Sequence, residues 1–183
     1  MTEKDIDKKI FDSLKDKWKY TNKMQLPRIT KLVISAGTGS IKDKKKVELV
    51  GDRLTKIAGQ KVLPKGAKKS IAAFKVRQGD PVGYQVTLRG KRMAGFIDKL
   101  LKVALPRTRD FRGISKNAVD GIGNLTIGIR EHTIFPETVD EELKDVFGLA
   151  ITLVTTAKSK AEGLDYFTAR GFPFKKVEET RAR

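Results

Sequence analysis

The stretch Leu105–Asn124, LPRTRDFRGISKNAVDGIGN, constrains the fold most. It runs for ~20 residues without a steady helical or strand period. A compact domain keeps so long an irregular connection only when the segment is disordered or has a job. Phe111, Ile114, Val119 and Ile122 supply apolar anchors, which argues for order. The chain is therefore expected to hang amphipathic sequence before this stretch, and strand-like sequence after it, on one defined connection. The stretch also holds Arg107, Arg109 and Arg112 around Asp110, and Gly113, Gly121 and Gly123. Arginine forks suit phosphate recognition, while Asp110 offers them an internal partner.

At 183 residues the chain suits a single domain with a substantial core. It has no cysteine, so no disulfide framework, thiolate nucleophile or thiolate metal site is available. His132 is the only histidine, and nothing resembling a nucleophile elbow accompanies it. It reads as an ordinary strand residue. No continuous apolar run approaches the ~20 residues of a membrane helix. The net charge is +17, and it is unevenly spread. Residues 1–61 carry 16 Lys/Arg against 8 Asp/Glu; residues 62–122 carry 14 against 4; residues 123–183 carry 9 against 10. The positive field thus belongs to the first two-thirds, which argues for a polyanion on one side. A membrane surface would favour a basic amphipathic helix, whereas these cations spread over strands and loops. Nucleic acid is the expected partner.

In chain order, residues 3–20 predict a helix, with Ile6, Ile10, Leu14 and Trp18 recurring every four residues. RITKLVISA (28–36) predicts a strand, and Gly37-Thr38-Gly39-Ser40 a turn. No Gly-Lys-Ser/Thr follows at the spacing of a phosphate loop. A second helix is expected over 43–58, stopped by Gly59. SIAAFKV (70–76) and VGYQVTLR (82–89) read as the two strands of a protruding hairpin, 70–89, with Arg77–Pro81 at its tip. Gln85, Thr87 and Arg89 share the polar face of the second strand. Residues 91–104 predict a helix that Pro106 ends. Asn124–Arg130 alternates as a strand, and LAITLVTT (149–156) predicts a central one. Thr138-x-x-Glu141 and Ser159-x-x-Glu162 read as capping boxes opening an acidic helix near 139–147 and a helix near 160–170. Glu137, Glu141, Glu142 and Asp145 read as an exposed acidic face, with no metal or catalytic role.

KKSIAAF (68–74), VTLRG (86–90), LPRTRDFRG (105–113), DGIGN (120–124), IFPE (134–137) and TTAK (155–158) together resemble one family. It is the bacterial form of the fifth large-subunit ribosomal protein, the L-five family that binds 5S ribosomal RNA. The resemblance runs from about Tyr20 to Phe174. It implies an α+β fold, an antiparallel sheet with helices packed mainly on one face. It implies a non-catalytic, cytoplasmic, ribosome-bound protein without a cofactor or metal. The implied partners are 5S RNA, 23S RNA in the central protuberance, P-site transfer RNA, a small-subunit head protein and neighbouring large-subunit proteins. The family's RNA-facing polar cluster falls on Ser35, Gln60 and Thr87, near Gly37 and Gly39. The basic segment adds Lys61, Lys65, Lys68, Lys69, Ser70 and Arg89 as ribosomal-RNA contacts. Arg77, Gln78, Gly79, Asp80 and Pro81 match the part that approaches transfer RNA. Arg107, Arg109 and Arg112 contact RNA or hold their own loop. Ser35 stands where the family's usual run has Asn, so a hydroxyl replaces an amide. Tyr84 and Gln85 also stand where small or basic residues are usual, and Ala94–Gly95 where bulkier residues usually precede Phe96.

Overall fold

The computed structural model describes residues 3–41, 43–109, 111–138 and 146–175. It has the expected α+β fold. Its chain-ordered elements are helix α1 (Glu3–Trp18), strand β1 (Ile29–Gly37), helix α2 (Lys44–Ala58), β2 (Leu63–Gly66), β3 (Pro81–Leu88), helix α3 (Gly90–Lys99 and its continuation), β4 (Leu125–Ile129), β5 (Leu149–Thr155) and helix α4 (Lys160–Ala169). The five strands form one antiparallel sheet in the order β2-β3-β1-β5-β4. LAITLVTT is an interior strand as expected, but β1 holds the middle position. The residues group into two compact units. A sheet unit comprises Lys31–Thr108 and Ile127–Leu153. A terminal unit comprises Met1–Thr30, Arg109–Thr126 and Val154–Arg183.

In the sheet unit, alternation decides which side is dry. Leu32, Ile34 and Ala36 of β1 are buried, as are Val86 and Leu88 of β3 and Ile151 and Leu153 of β5. The residues between them remain partly or fully open. Helix α2 starts where the Asp43 carboxylate accepts from Lys45 N–H at 3.0 Å. It stops at Gly59, whose φ of +65° is natural for a residue without Cβ. Its Gly51 leaves room for the Tyr84 ring: a Cβ there would lie 2.9 Å from the ring carbons. IFPE proves to be a core motif. Phe135 is fully buried with its ring centre 5.8 Å from that of Phe96. Glu137 pairs with Lys99 at 2.6 Å, and the same ammonium donates to Ile57 O at 2.8 Å. His132 lies in a 3-10 turn, not a strand. Its ring stacks on Phe147 at 4.2 Å and its Nδ1 accepts from Phe147 N–H at 3.3 Å.

Two expectations for this unit are overturned. Pro106 does not end α3. The helix widens into a π turn over Leu100–Ala104, where Leu105 N–H donates to Leu100 O, and one more turn follows through Arg107. Proline then sits in the first turn of that last piece, where its missing N–H leaves no bond unmade. SIAAFKV is not a strand either. Only Ile71 and Val76 bridge, around a 3-10 turn Ala72–Phe74. The partner of β3 is the short extended piece Leu63–Gly66, paired as Leu63↔Gln85, Pro64↔Tyr84 and Lys65↔Gly83. Pro64 is tolerated there because β2 is an edge strand. The acidic helix near 139–147 and its Thr138-x-x-Glu141 box fall largely outside the described residues, as do Glu141, Glu142 and Asp145.

In the terminal unit, α1 ends two residues earlier than expected, because Lys19 turns left-handed (φ +53°). Tyr20 N–H then reaches back to Lys15 O at 3.2 Å, closing a Schellman turn. Trp18 serves packing and a hydrogen bond, donating from Nε1 to Asp165 at 2.9 Å. Asp165 also pairs with Lys17 at 2.6 Å. Ser159 caps α4 by accepting from Glu162 N–H at 3.3 Å. Glu162 does not complete the box. Its carboxylate accepts from Lys158 N–H at 2.7 Å and from the Tyr20 hydroxyl at 2.5 Å. Burial, with the neighbouring Glu162 carboxylate, pushes the Tyr20 phenol up, so it stays the donor. Within Leu105–Asn124, Ile114 and Val119 are buried anchors and Phe111 is half-buried, whereas Ile122 is exposed. DGIGN is a turn: Asp120 accepts from the Ile122 and Asn124 amides at 3.1 and 2.7 Å. Gly123 (φ +83°) then meets Gly163 of α4 so closely that a Cβ on Gly163 would lie 2.6 Å from Gly123 Cα.

Two stability outcomes follow. A left-handed lysine costs roughly 1–2 kcal/mol relative to the right-handed region. After allowance for glycine's looser unfolded chain, Lys19→Gly is expected to stabilise by about 1 kcal/mol, raising the Tm by ~2–4 °C. A lower Tm would show that Lys19 makes contacts worth more than the strain. Burial alone would push the Asp120 carboxyl up, but the bonds from Asn124, Ile122 and Gly123 hold it below its ordinary value. A depressed folded value contributes stability above the ordinary carboxylate range and loses it as pH falls through the folded value. In denaturant titrations the gap between wild type and Asp120→Asn should therefore close in acid. A gap independent of pH would refute that role.

Candidate nucleic-acid interface

The uncovered face of the sheet unit is built by register. Pairing of β1 with β3 sets Ser35 opposite Gln85, Val33 opposite Thr87 and Gly37 opposite Gly83. Pairing of β3 with β2 extends two of these rows, to Leu63 beyond Gln85 and to Lys65 beyond Gly83. Positions two apart along a strand share a face. Ser35, Gln85, Thr87 and Lys65 thus look outward together, beside Leu63, which is 58% exposed. The β3 backbone comes so near β1 that a Cβ on Gly83 would sit 2.7 Å from Ala36 O. Gln85 was legible as a face-mate of Thr87, but its row with Ser35 depends on non-local pairing.

The sequence-predicted polar cluster is brought together in part. Gln60 lies beside Thr87, with Nε2 donating to Thr87 O at 3.4 Å. Its Oε1 accepts from Arg92 at 3.2 Å, so its amide is engaged at both ends. Ser35 sits one row away. Gly37 and Gly39 follow at the end of β1, in the turn before α2. Thr38 between them is 1% exposed, and its hydroxyl has no hydrogen-bond partner among the described residues.

Lys61, Lys65, Lys68, Lys69 and Arg89 are all exposed. Among the described residues they form no salt bridge, which leaves five cations available to an external anion. Ser70 is a brace: its Oγ accepts from Gln78 N–H at 3.0 Å. Arg77, Gln78, Gly79 and Asp80 make a turn in which Arg77 N–H donates to the Asp80 carboxylate at 2.8 Å. This turn is the foot of the 67–80 loop where it rejoins β3 at Pro81. The apex lies at Ala72–Lys75, so the expected tip is displaced by a few residues. Phe74, 74% exposed at that apex, is the residue that sequence reading passed over. A strand period had absorbed it.

Arg107 is exposed at the last helical turn of the sheet unit. Arg109 and Arg112 are exposed in the terminal unit. Asp110, their expected internal partner, lies outside the described residues. Among the described residues no cluster of His, Asp or Glu could hold a metal ion. Nor among them is any helix long and apolar enough to cross a membrane.

Comparison with known proteins gives this surface its setting. Residues 22–77 match the family described as Ribosomal protein L5, and residues 81–174 match the C-terminal part of the same ribosomal family. The large ribosomal subunit protein uL5 of Desulfotalea psychrophila is 48% identical over 165 residues, 90% of this chain and 92% of the relative. Its namesake from Desulfatibacillum aliphaticivorans is 51% identical over 164 residues, 89% and 92% of the two chains. That from Ligilactobacillus salivarius is 48% identical over 171 residues, 93% and 95%. The class is that of a structural, RNA-associated protein of the ribosome and not an enzyme. The chain belongs to the ribosomal protein L5 family, and so to the large subunit, where it is ribosome-bound.

The orphan hydroxyl of Thr38 yields a test. An unmade buried hydrogen bond costs about 1–3 kcal/mol, and valine matches the shape without it. Thr38→Val is expected to leave stability unchanged or raise it by on the order of 1 kcal/mol in urea titration. A loss of that size would reveal a partner for the hydroxyl.

Proposed function

We propose that this chain binds 5S ribosomal RNA through the open face of its sheet unit and the cations along β2 and the 67–80 loop. In this reading the protein helps to attach 5S RNA to 23S RNA in the central protuberance. The 67–80 loop meets P-site transfer RNA, and another edge meets a small-subunit head protein. The observation that carries the reading is the outward row Ser35–Gln85, continued by Thr87 and flanked by Lys61, Lys65, Lys68, Lys69 and Arg89. The two parts of that surface do different work. Cations on phosphates supply affinity that falls with salt, whatever the sequence. Hydroxyl and amide groups on a pleated surface select folded RNA by its 2′-hydroxyls and unpaired bases. Ser35, with one donor, offers less than an amide would, and Gln85 opposite restores an amide to the same row.

Filter binding with 5S RNA across a salt series tests the reading. Each phosphate contact contributes about 0.7–0.9 to the slope of log affinity against log salt. Lys68→Ala combined with Lys69→Ala should weaken binding and flatten that slope by ~1.4–1.8. An unchanged slope would remove these lysines from the interface. Absence of 5S binding by the wild type would refute the reading itself.

A further inference from the structure

A cavity of about 360 Å³ opens in the terminal unit, between helix α1 and the segment that leads into β1. It falls within the size range of ligand sites, roughly 300–1,000 Å³. Leu26 and Pro27, both buried, form its floor. Met24 stands at its rim, 82% exposed, and contributes nothing to the core. The turn that carries Met24 is firmly built. Asn22 and Gln25 close a capping box around it. The Asn22 side chain accepts from Met24 N–H at 3.0 Å, and Gln25 Oε1 accepts from Thr21 N–H at 3.0 Å. Beyond the floor, Arg28 O accepts from Thr156 N–H at 3.1 Å, and Arg28 N–H donates to Thr156 Oγ1 at 3.0 Å. A methionine kept in water on so well-braced a turn serves contact and not folding. Its unbranched thioether adapts to many apolar partners, which is why such residues recur on binding surfaces.

Charge says what the contact is with. Lys8 of α1, Lys23 and Arg28 line the same cavity, all three exposed. Among the described residues none of them forms a salt bridge. The acid in the lining, Asp7, already faces Arg170 at 4.0 Å. The cavity therefore sets an apolar floor and rim beneath an excess of positive charge. A phosphate backbone would use the cations but leave Met24, Leu26 and Pro27 idle. No aromatic ring among the lining residues could stack a base. An apolar side chain flanked by carboxylates uses both halves of the site, because complementary charge orients it while the apolar contact holds it. We propose that this cavity is a docking site for an acidic segment of a protein partner. Its apolar side chain lies against Met24, Leu26 and Pro27, and its carboxylates meet Lys8, Lys23 and Arg28. The site is in the terminal unit and does not rest on the RNA-binding reading of the sheet unit.

Fluorescence anisotropy of the full chain with a labelled, end-capped peptide Asp-Glu-Leu-Glu-Asp tests the proposal. The peptide should bind, more weakly as salt rises. The same peptide with serine for leucine should bind less well. Lys23→Glu combined with Arg28→Glu should weaken binding by about 10-fold or more. Met24→Ser should weaken it by about 3- to 10-fold, with its salt dependence unaltered. Thermal melting should be unchanged in each, since the altered side chains are exposed. Lys91→Glu combined with Lys160→Glu removes as much charge from exposed positions outside the cavity. It should keep the peptide affinity within about 2-fold of wild type. A second arm places the site in the assembled particle. Met24→Cys gives the chain its only thiol. A benzophenone attached there should cross-link, in purified large subunits, to an acidic segment of a neighbouring protein. No peptide binding, or equal binding of the serine peptide, would overturn the proposal. So would equal losses from the Lys91/Lys160 and Lys23/Arg28 pairs, which would reduce the effect to overall charge. A cross-link to RNA, or none to protein, would overturn it as well, whatever the outcome of the 5S binding experiment.

Discussion

The two-residue period of an antiparallel strand governs the site. Burying Leu32, Ile34 and Ala36 on one side of β1 obliges Val33, Ser35 and Gly37 to the other. The same rule on β3 sends Gln85 and Thr87 outward once Val86 and Leu88 are taken into the core. Register then matters more than composition. A slip of one residue between β1 and β3 would bring Ser35 opposite a core position and dismantle the polar row. Gly83 fixes that register from the backbone side, because any side chain there would strike Ala36 O. The outward polar row is thus a consequence of core packing on the opposite face, held by the same apolar residues that stabilise the sheet unit.

The motifs that identify the family divide by role. IFPE supplies a buried phenylalanine and a carboxylate for Lys99. DGIGN supplies a turn, with Asn124 Oδ1 accepting from Thr155 N–H at 3.0 Å and Thr155 Oγ1 donating to Gly123 O at 2.8 Å. In these two the distinctive residues answer to backbone geometry and packing. KKSIAAF and VTLRG differ, since they carry exposed cations and an exposed ring. A motif's value for recognising a family and its value as a binding site are therefore separate properties. Arg107, Arg109 and Arg112 stand between the two kinds: cationic, outside the core and without a salt bridge among the described residues.

Much of the fold was legible because it is local. The helices over 3–20, 43–58 and 160–170 declared themselves by periodicity, caps and terminal glycines, and β4 by strict alternation. What escaped was decided at a distance. SIAAFKV has the composition of a strand, yet Leu63–Gly66 takes the place beside β3 despite its Pro and Gly, since an edge position tolerates both. Pro106 looked like a stop until a π turn upstream made room for it. The broken capping box has the same origin. Glu162 folds back only as far as Lys158 N–H, one residue short of the Ser159 amide, while its other oxygen accepts from the Tyr20 hydroxyl, 142 residues away in sequence. In the candidate site, residue types were readable, but neighbours were not. Gln60 is legible as a polar residue of the candidate cluster, while its engagement by Thr87 and Arg92 depends on non-local packing.

Cations and polar rows make unequal demands on the fold. A lysine reaches a phosphate from almost any backbone position, so Lys61, Lys65, Lys68 and Lys69 need only a surface. A hydroxyl or amide that distinguishes one RNA from another must be held within a few tenths of an ångström, which requires a strand with a buried opposite face. The sheet unit provides both supports, the paired strands β1 and β3 for the polar row and edge strand β2 with the 67–80 loop for the cations.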